Sequence, residues 1–185
     1  MYKRQAIPTE ISSGPRTPGG HATPRNRVIA HGDIAHFEFA GVSHRYHATA
    51  VHTMACGAAS TRATELYEVA RASLAAGISQ CQSGTLVADI EEASLEPVRI
   101  AGLEAYANMR FGYGIGLAYP PVWLESLQIS RGFGDRLVPG MVFVLHAYLQ
   151  LDHEDIGVIQ GGTWTLTPDG LKQLVGGGDV QLETV

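Results

Sequence analysis

The segment RFGYGIGLAYPP, residues 110–121, gathers side chains that can bind and orient a small polar molecule. Arg110 can pair with an anion. Tyr113 can donate a hydrogen bond to a carboxylate or carbonyl, or simply fill space. A phenol with an ordinary pKa near ~10 is too weak an acid to serve as a base at neutral pH. Pro120 and Pro121 stiffen the loop that follows, so Trp123 is either a pocket wall or an anchor in the core. Gly112, Gly114 and Gly116 alternate and share one strand face, where a substrate or another backbone can approach closely. Gly161 and Gly162 are expected to do the same opposite them. No helix follows the Gly-Tyr-Gly-Ile-Gly run, so it lacks the helix N-terminus of a phosphate-cradling loop.

Histidine is the other source of chemistry, with eight along the chain. An unperturbed pKa near ~6.5 makes the imidazole a usable acid or base after modest tuning. His47 and His52 lie an odd number of residues apart, so on a regular strand they face opposite sides and at most one enters a pocket. His146 falls in the apolar run MVFVLHAYLQL. His31, His36 and His153 read as structural or solvated. Cys56 and Cys81, the two cysteines, read as packing residues in a reducing compartment, without a disulfide framework.

Elements must hold these groups in place, and 185 residues of 45% hydrophobic composition can bury one ordinary core. A net charge of −5 offers no basic stripe for nucleic acid. No apolar run is long enough to span a bilayer, and no secretory leader is evident, so the expected compartment is the cytoplasm. Residues 6–31 are rich in Pro, Gly, Ser and Thr and are expected to form an extended or looped entry. Residues 33–57 read as a β-hairpin turning at residues 41–44, with Phe37 and Phe39 on one face and Glu38 on the other. Ser60 or Thr61 can cap a helix striped by Leu66, Val69, Ala70, Leu74 and Ile78. Thr85 is expected to cap a second helix, kinked or split by Pro97 and stopped at Gly102. The remainder reads as strands, with a Pro-Asp-Gly turn before the last. Strands joined mostly by loops predict an α+β domain with a largely antiparallel sheet.

Several segments then line up, in order, with one family. SGPRTPGGHATPRNRVIAHGD, YHATAVHTMACG, GYGIGL, LVPGMVFVLHAYL and TWTLTPDGLKQL together resemble the C-terminal catalytic domain of the pita-bread superfamily, which includes methionine aminopeptidase, aminopeptidase P, prolidase and creatinase. GYGIGLAYPPVW is similar to a branch containing ectoine hydrolase-like proteins. The resemblance implies a pita-bread fold, a curved, largely antiparallel sheet with covering helices, and a homodimer when full length. It also implies N-terminal truncation. Residues 1–5, MYKRQ, reverse-translate to the tail of a transposase end sequence used to make sequencing libraries. They are expected to be a read-through artefact, with residues 6–185 a single incomplete catalytic domain.

The family's peptidases hold two divalent metals, such as manganese or cobalt, with two Asp, one His and two Glu, because a bridging hydroxide needs hard cations and mostly carboxylate ligands. Those positions fall here on Glu38, Thr49, Tyr113, His146 and Gly161. The resemblance therefore implies that the usual metal pair is not kept, and no metal or other cofactor is expected. Creatinase implies a metal-free alternative, in which His21 of GGHATP is the general acid/base. The creatinase Glu and Arg positions are Val51 and His52, so creatine is not the expected substrate. Arg110, Tyr113, Tyr119, His146 and His52 are the expected substrate-binding residues, Tyr119 roughly matching a second family His. The expected function is cleavage of a C–N bond in a small amide, amidine or dipeptide-like substrate. The alternatives are a non-catalytic binding protein on the same fold and a metal-dependent Xaa-Pro aminopeptidase or dipeptidase.

Overall fold

The computed structural model describes residues 4–22, 25–176 and 182–185. Residues 1–3 of the opening pentapeptide lie outside the described residues. The entry segment is more ordered than its composition suggests. It forms strand β1 (Glu10–Ser13) and a 3-10 turn (Gly14–Gly19). β1 pairs antiparallel with β2 (Ile34–Ser43), which continues into β3 (Tyr46–Ala55). The hairpin turn falls on His44 and Arg45, both at positive φ, slightly beyond residues 41–44. Phe37 and Phe39 do oppose Glu38, but the buried face carries His36 and Glu38, while Phe39 is exposed. A carboxylate turned inward in place of two phenylalanines marks this face as one built for polar groups.

Helix α1 (Thr61–Ser79) is capped by Ser60, whose Oγ accepts from Ala63 N–H at 3.1 Å. Leu66, Ala70 and Leu74 of its stripe are buried, with Val69 and Ile78 packed beside them. Helix α2 (Val87–Ile100) starts differently from the sequence expectation. Its N-cap is Leu86, and Thr85 makes no side-chain cap. A backbone bridge between Leu86 and Arg136, with Val87 N–H donating to Asp135 at 3.0 Å, holds this end instead. Pro97 neither splits nor ends the helix, because it sits in the last turn. Gly102, at φ 71°, follows the end.

Five further strands complete the sheet: β4 (Gly112–Tyr119), β5 (Val122–Ile129), β6 (Val142–Leu151), β7 (Ile156–Thr167) and β8 (Gly170–Gly176). The described residues also include a two-residue strand, β9 (Glu183–Thr184), which pairs parallel with β3, whereas the other pairings are antiparallel. The order is β1-β2-β3-β4-β6-β7-β8, with β5 on β4. β3 touches β4 at Tyr46–Leu117 and β7 at Val51–Gly161. Since β4, β6 and β7 are already neighbours, this double contact bends the sheet around the face carrying Glu38, Thr49 and His146. The main apolar core lies on the other side, where α1 packs against α2, β6 and β7.

Glu91 of α2 ties the layers together. It is 6% exposed and accepts from Phe111 N–H at 3.1 Å and from Ser130 Oγ at 3.0 Å. It therefore fixes the start of β4 relative to the end of β5, and so the height at which Tyr113 enters the sheet. The alternating glycines of β4 serve the same packing. A Cβ on Gly112 would meet Val144 O at 2.3 Å, and one on Gly116 would meet Glu125 Oε1 at 2.4 Å. Of the two expected neighbours, another backbone is the one at Gly112, and the Glu125 side chain fills the space at Gly116.

Candidate functional site

Strand pairing creates the site. Glu10 of β1 stands directly opposite Glu38 of β2, and Ser12 opposite His36. Residues two apart share a face, so His36 and Glu38 point the same way. The 3-10 turn then brings the chain back over them. Gly20, at φ 58°, permits the reversal. Three buried side chains pin the turn: Ser12 Oγ donates to Gly20 O at 3.0 Å, His36 Nε2 bonds Gly20 O at 3.1 Å, and Tyr148 OH donates to Thr17 O at 2.5 Å. The next residue is His21.

His21 Nε2 lies 2.9 Å from Glu10 Oε2 and 3.3 Å from Glu38 Oε2. The hydrogen bond to Glu10, then that to Glu38, raise its pKa to about 10. His21 is thus an imidazolium at neutral pH, a proton donor in waiting and not a ready base. Burial alone would push the Glu38 carboxyl up. The bond from His21 and the charges around it outweigh burial, and its pKa is lowered. The other Glu38 oxygen, Oε1, accepts from Tyr113 OH at 3.1 Å, and that hydroxyl accepts from Trp123 Nε1 at 3.1 Å. Burial and the Glu38 charge hold the Tyr113 phenol far above its usual range. Tyr113 accordingly aims Glu38 and has no hydroxyl proton left for a substrate. Trp123, 1% exposed, is both anchor and donor.

His146 on β6 packs beside Tyr113, with ring centroids 5.8 Å apart. It is 3% exposed, its Nδ1 has no partner, and burial lowers its pKa, so it is neutral. His36, read from sequence as structural or solvated, is likewise buried, with a pKa lowered chiefly by burial. Its Nε2 faces a carbonyl and must carry the proton, leaving Nδ1 as an acceptor without a partner.

The structure does not bring the remaining expected binding residues into this cluster. His52 and His47 face opposite sides, as strand parity requires. His47 is the inward one and accepts from Ala6 N–H at 3.1 Å. His52 faces the helix layer, edge-on to Tyr67 and 3.9 Å from Glu183. Tyr119 is 63% exposed at the far end of β4, under the Arg45 guanidinium. Arg110 is exposed and hydrogen-bonded to Gln128, and reaches the site only through its charge, which helps depress His146. Glu10 is the functional candidate that sequence reasoning missed. It lies in a segment read as extended or looped, and only its strand register reveals it. Cys81 is buried, with its thiol pushed up to about 12 by burial, in keeping with a packing role.

The residues at the family's five metal positions do not fit a dinuclear centre. Only Glu38 offers a carboxylate, and one of its oxygens is held by Tyr113. Tyr113 is a neutral phenol and His146 a neutral imidazole. At Gly161 any Cβ would lie 2.3 Å from Leu145 O and 2.6 Å from His146 Cβ. Strand β6 has closed over the place where a second glutamate would start.

A pH dependence of stability follows from these histidines. The His21 proton is held with a pKa of about 10 in the fold, against 6.5 when unfolded. A raised folded pKa stabilises fully below pH 6.5, and that contribution is lost as pH rises towards 10. His36, His52 and His146 carry lowered pKa values. Their contribution is present above 6.5 and lost as pH falls below it. Urea midpoints measured across pH should peak near neutrality, and His21→Gln should flatten the alkaline limb. An unchanged alkaline limb in that variant would show that the His21–carboxylate cluster does not form.

Three comparisons place this geometry among known proteins. The description of metallopeptidase family M24 matches residues 1–184. An ectoine hydrolase from Halomonas elongata is 28% identical over 170 residues, covering 91% of this chain and 42% of that protein. A Xaa-Pro dipeptidase from Lactobacillus helveticus is 24% identical over 172 residues, again 91% of this chain and 44% of the other. The crystal structure of a prolidase from Thermococcus sibiricus superposes with a TM-score of 0.89 at 22% identity, over 97% of this chain and 47% of that one. The chain spans less than half the length of each of these three. The superposition establishes the pita-bread fold.

Proposed function

This chain belongs to metallopeptidase family M24, and from that premise we propose that it hydrolyses a C–N bond in a small amide, amidine or dipeptide-like substrate without the family's metal pair. The observation that carries the reading is His21 Nε2, on a half-exposed side chain, held 2.9 Å from Glu10 and 3.3 Å from Glu38. Hydrolysis needs a proton delivered to the departing nitrogen and one taken from water. His21, with its side chain 53% exposed, is placed to deliver the first as the C–N bond breaks. Glu10, more open than Glu38, is placed to take the second as water forms the new C–O bond. An amide or dipeptide then yields an acid and an amine, and an amidine yields an amide and an amine. Tyr113 and Trp123 fix Glu38, and neutral His146 lies beyond them to orient substrate. The proposal includes a homodimer as the full-length state and a cytoplasmic site of action. The described helices include none long and apolar enough to cross a membrane.

The test is direct. The chelator-treated chain is incubated with Xaa-Pro dipeptides and small N-acyl amines, and amine release is followed. Release without added metal supports the reading. Release only after adding manganese or cobalt, in proportion to two bound ions, would replace it with metal-dependent peptidase chemistry. One observation favours a non-catalytic binder instead: the cavity behind His21 is only about 10 Å³, close to the size of a single water. Saturable substrate-analogue binding with no release in either condition would establish that second reading.

A further inference from the structure

We propose that Glu10, His21 and Glu38 form a site for one divalent transition-metal ion, overlapping the family's paired-metal positions only at Glu38. Among the described residues this is the one group of three or more ligating side chains whose donor atoms come within 4.8 Å of one another. His21 Nε2 sits 2.9 Å and 3.3 Å from the two carboxylate oxygens. Bonds of about 2.1 Å to a tetrahedral ion would set its donors about 3.4 Å apart. Small side-chain rotations therefore suffice to admit the ion. Both carboxylates also address the same imidazole nitrogen. That nitrogen carries a single N–H, which can satisfy one acceptor well or two poorly. A cation between the three atoms serves all of them at once.

His36 supplies an independent observation. It is 4% exposed, lines the same small cavity as Glu10, His21 and Glu38, and keeps its Nδ1 lone pair without a partner. A buried acceptor left in this state is costly and uncommon. A single water bound to the ion fits this cavity and gives that nitrogen the donor it lacks. The surrounding contacts are those expected behind metal ligands, which need their remaining atoms held. Tyr113 grips the free Glu38 oxygen, and the turn that presents His21 is pinned by Ser12, His36 and Tyr148. The half-exposed His21 leaves the outer side open to water. One imidazole with two carboxylates suits zinc or cobalt(II) better than magnesium or calcium, which take oxygen donors.

The site bears on regulation, and in that respect alone the inference rests on the hydrolase reading. An ion bound to Nε2 occupies the electron pair through which His21 would carry its proton, so metal loading and proton delivery exclude each other. Filling the site would switch the chemistry off.

Calorimetric titration of the untagged, chelator-stripped chain with zinc chloride, repeated with cobalt(II) chloride, tests the inference. One equivalent is expected. Glu10→Gln and His21→Asn should each weaken binding by about tenfold or more, while His146→Ala and Thr49→Ala leave it unchanged. Glu10 lies on a short strand and His21 is half exposed, so neither change removes a packed apolar group. Unaltered circular dichroism would confirm folding. Two equivalents, no binding, or binding indifferent to Glu10→Gln would overturn the proposal. The readout is heat and stoichiometry, not turnover. A chain that binds one zinc but cleaves nothing sinks the hydrolase reading alone, and one that cleaves but binds none sinks this inference alone.

Discussion

Replacing His21 with alanine is expected to lower turnover of any substrate the chain cleaves by about 10²–10⁴-fold, the usual contribution of a positioned acid or base. The reasoning is local. His21 is the half-exposed member of the Glu10–His21–Glu38 cluster, and it is protonated at neutral pH through its two carboxylate partners. Removing it takes away the proton for the departing nitrogen and leaves two carboxylates facing each other. KM should move much less than kcat, because the lost interaction develops as the bond breaks. His21→Gln separates the two duties of the residue. It keeps a hydrogen-bond donor for the carboxylates but cannot transfer a proton, so it should remain as impaired as alanine. In the unaltered chain the alkaline limb of the pH–rate profile should follow the His21 pKa of about 10. Full turnover in His21→Ala would remove His21 from the chemistry.

Trp123→Ala is the second large effect, expected to cost about 3–5 kcal/mol of stability. Trp123 is 1% exposed and packs with Tyr113, Ile115 and Val144 in a small cluster apart from the main core. Domains of this size have only about 5–15 kcal/mol to lose. The substitution also strips Tyr113 OH of its donor, so Glu38 should lose part of its fixed orientation. Trp123→Phe restores most of the volume but not the N–H, and should cost about 1 kcal/mol beyond its small packing change. Urea denaturation of both variants gives the comparison. An alanine variant within about 1 kcal/mol of the parent would mean that this cluster is not packed as described.

The sequence revealed some parts of this arrangement and hid others, for identifiable reasons. Helix α1 was legible because a Ser cap and a run of apolar residues at helical spacing agree. The opposed faces of His47 and His52 were legible because strand parity is a local property. Which face points inward was not, because the strand period separates Phe37 and Phe39 from Glu38 without saying which side is covered. Apolar residues usually mark the core, but here the bent sheet encloses the polar face. His21, Glu38, Tyr113 and His146 came from motif positions, and the fold brings them together. Tyr119, His52 and Arg110 came from the same motifs but face elsewhere, since a motif fixes a place along a strand and not the direction its side chain takes. Glu10 could not be found this way. Its partner in the register is 28 residues downstream, and composition alone made its segment extended or looped without a pairing.

The closed backbone at Gly161 makes a second glutamate hard to reach by substitution. Thr49, Tyr113 and His146 each already carry a side chain, so exchange to Asp, His and Glu changes only chemistry at an existing position. Gly161 is different, because even one added carbon meets Leu145 O at 2.3 Å. Placing a glutamate there requires β6 to withdraw first, and a withdrawn β6 gains nothing until the glutamate is present. No single substitution at that position therefore supplies a second carboxylate within the present backbone.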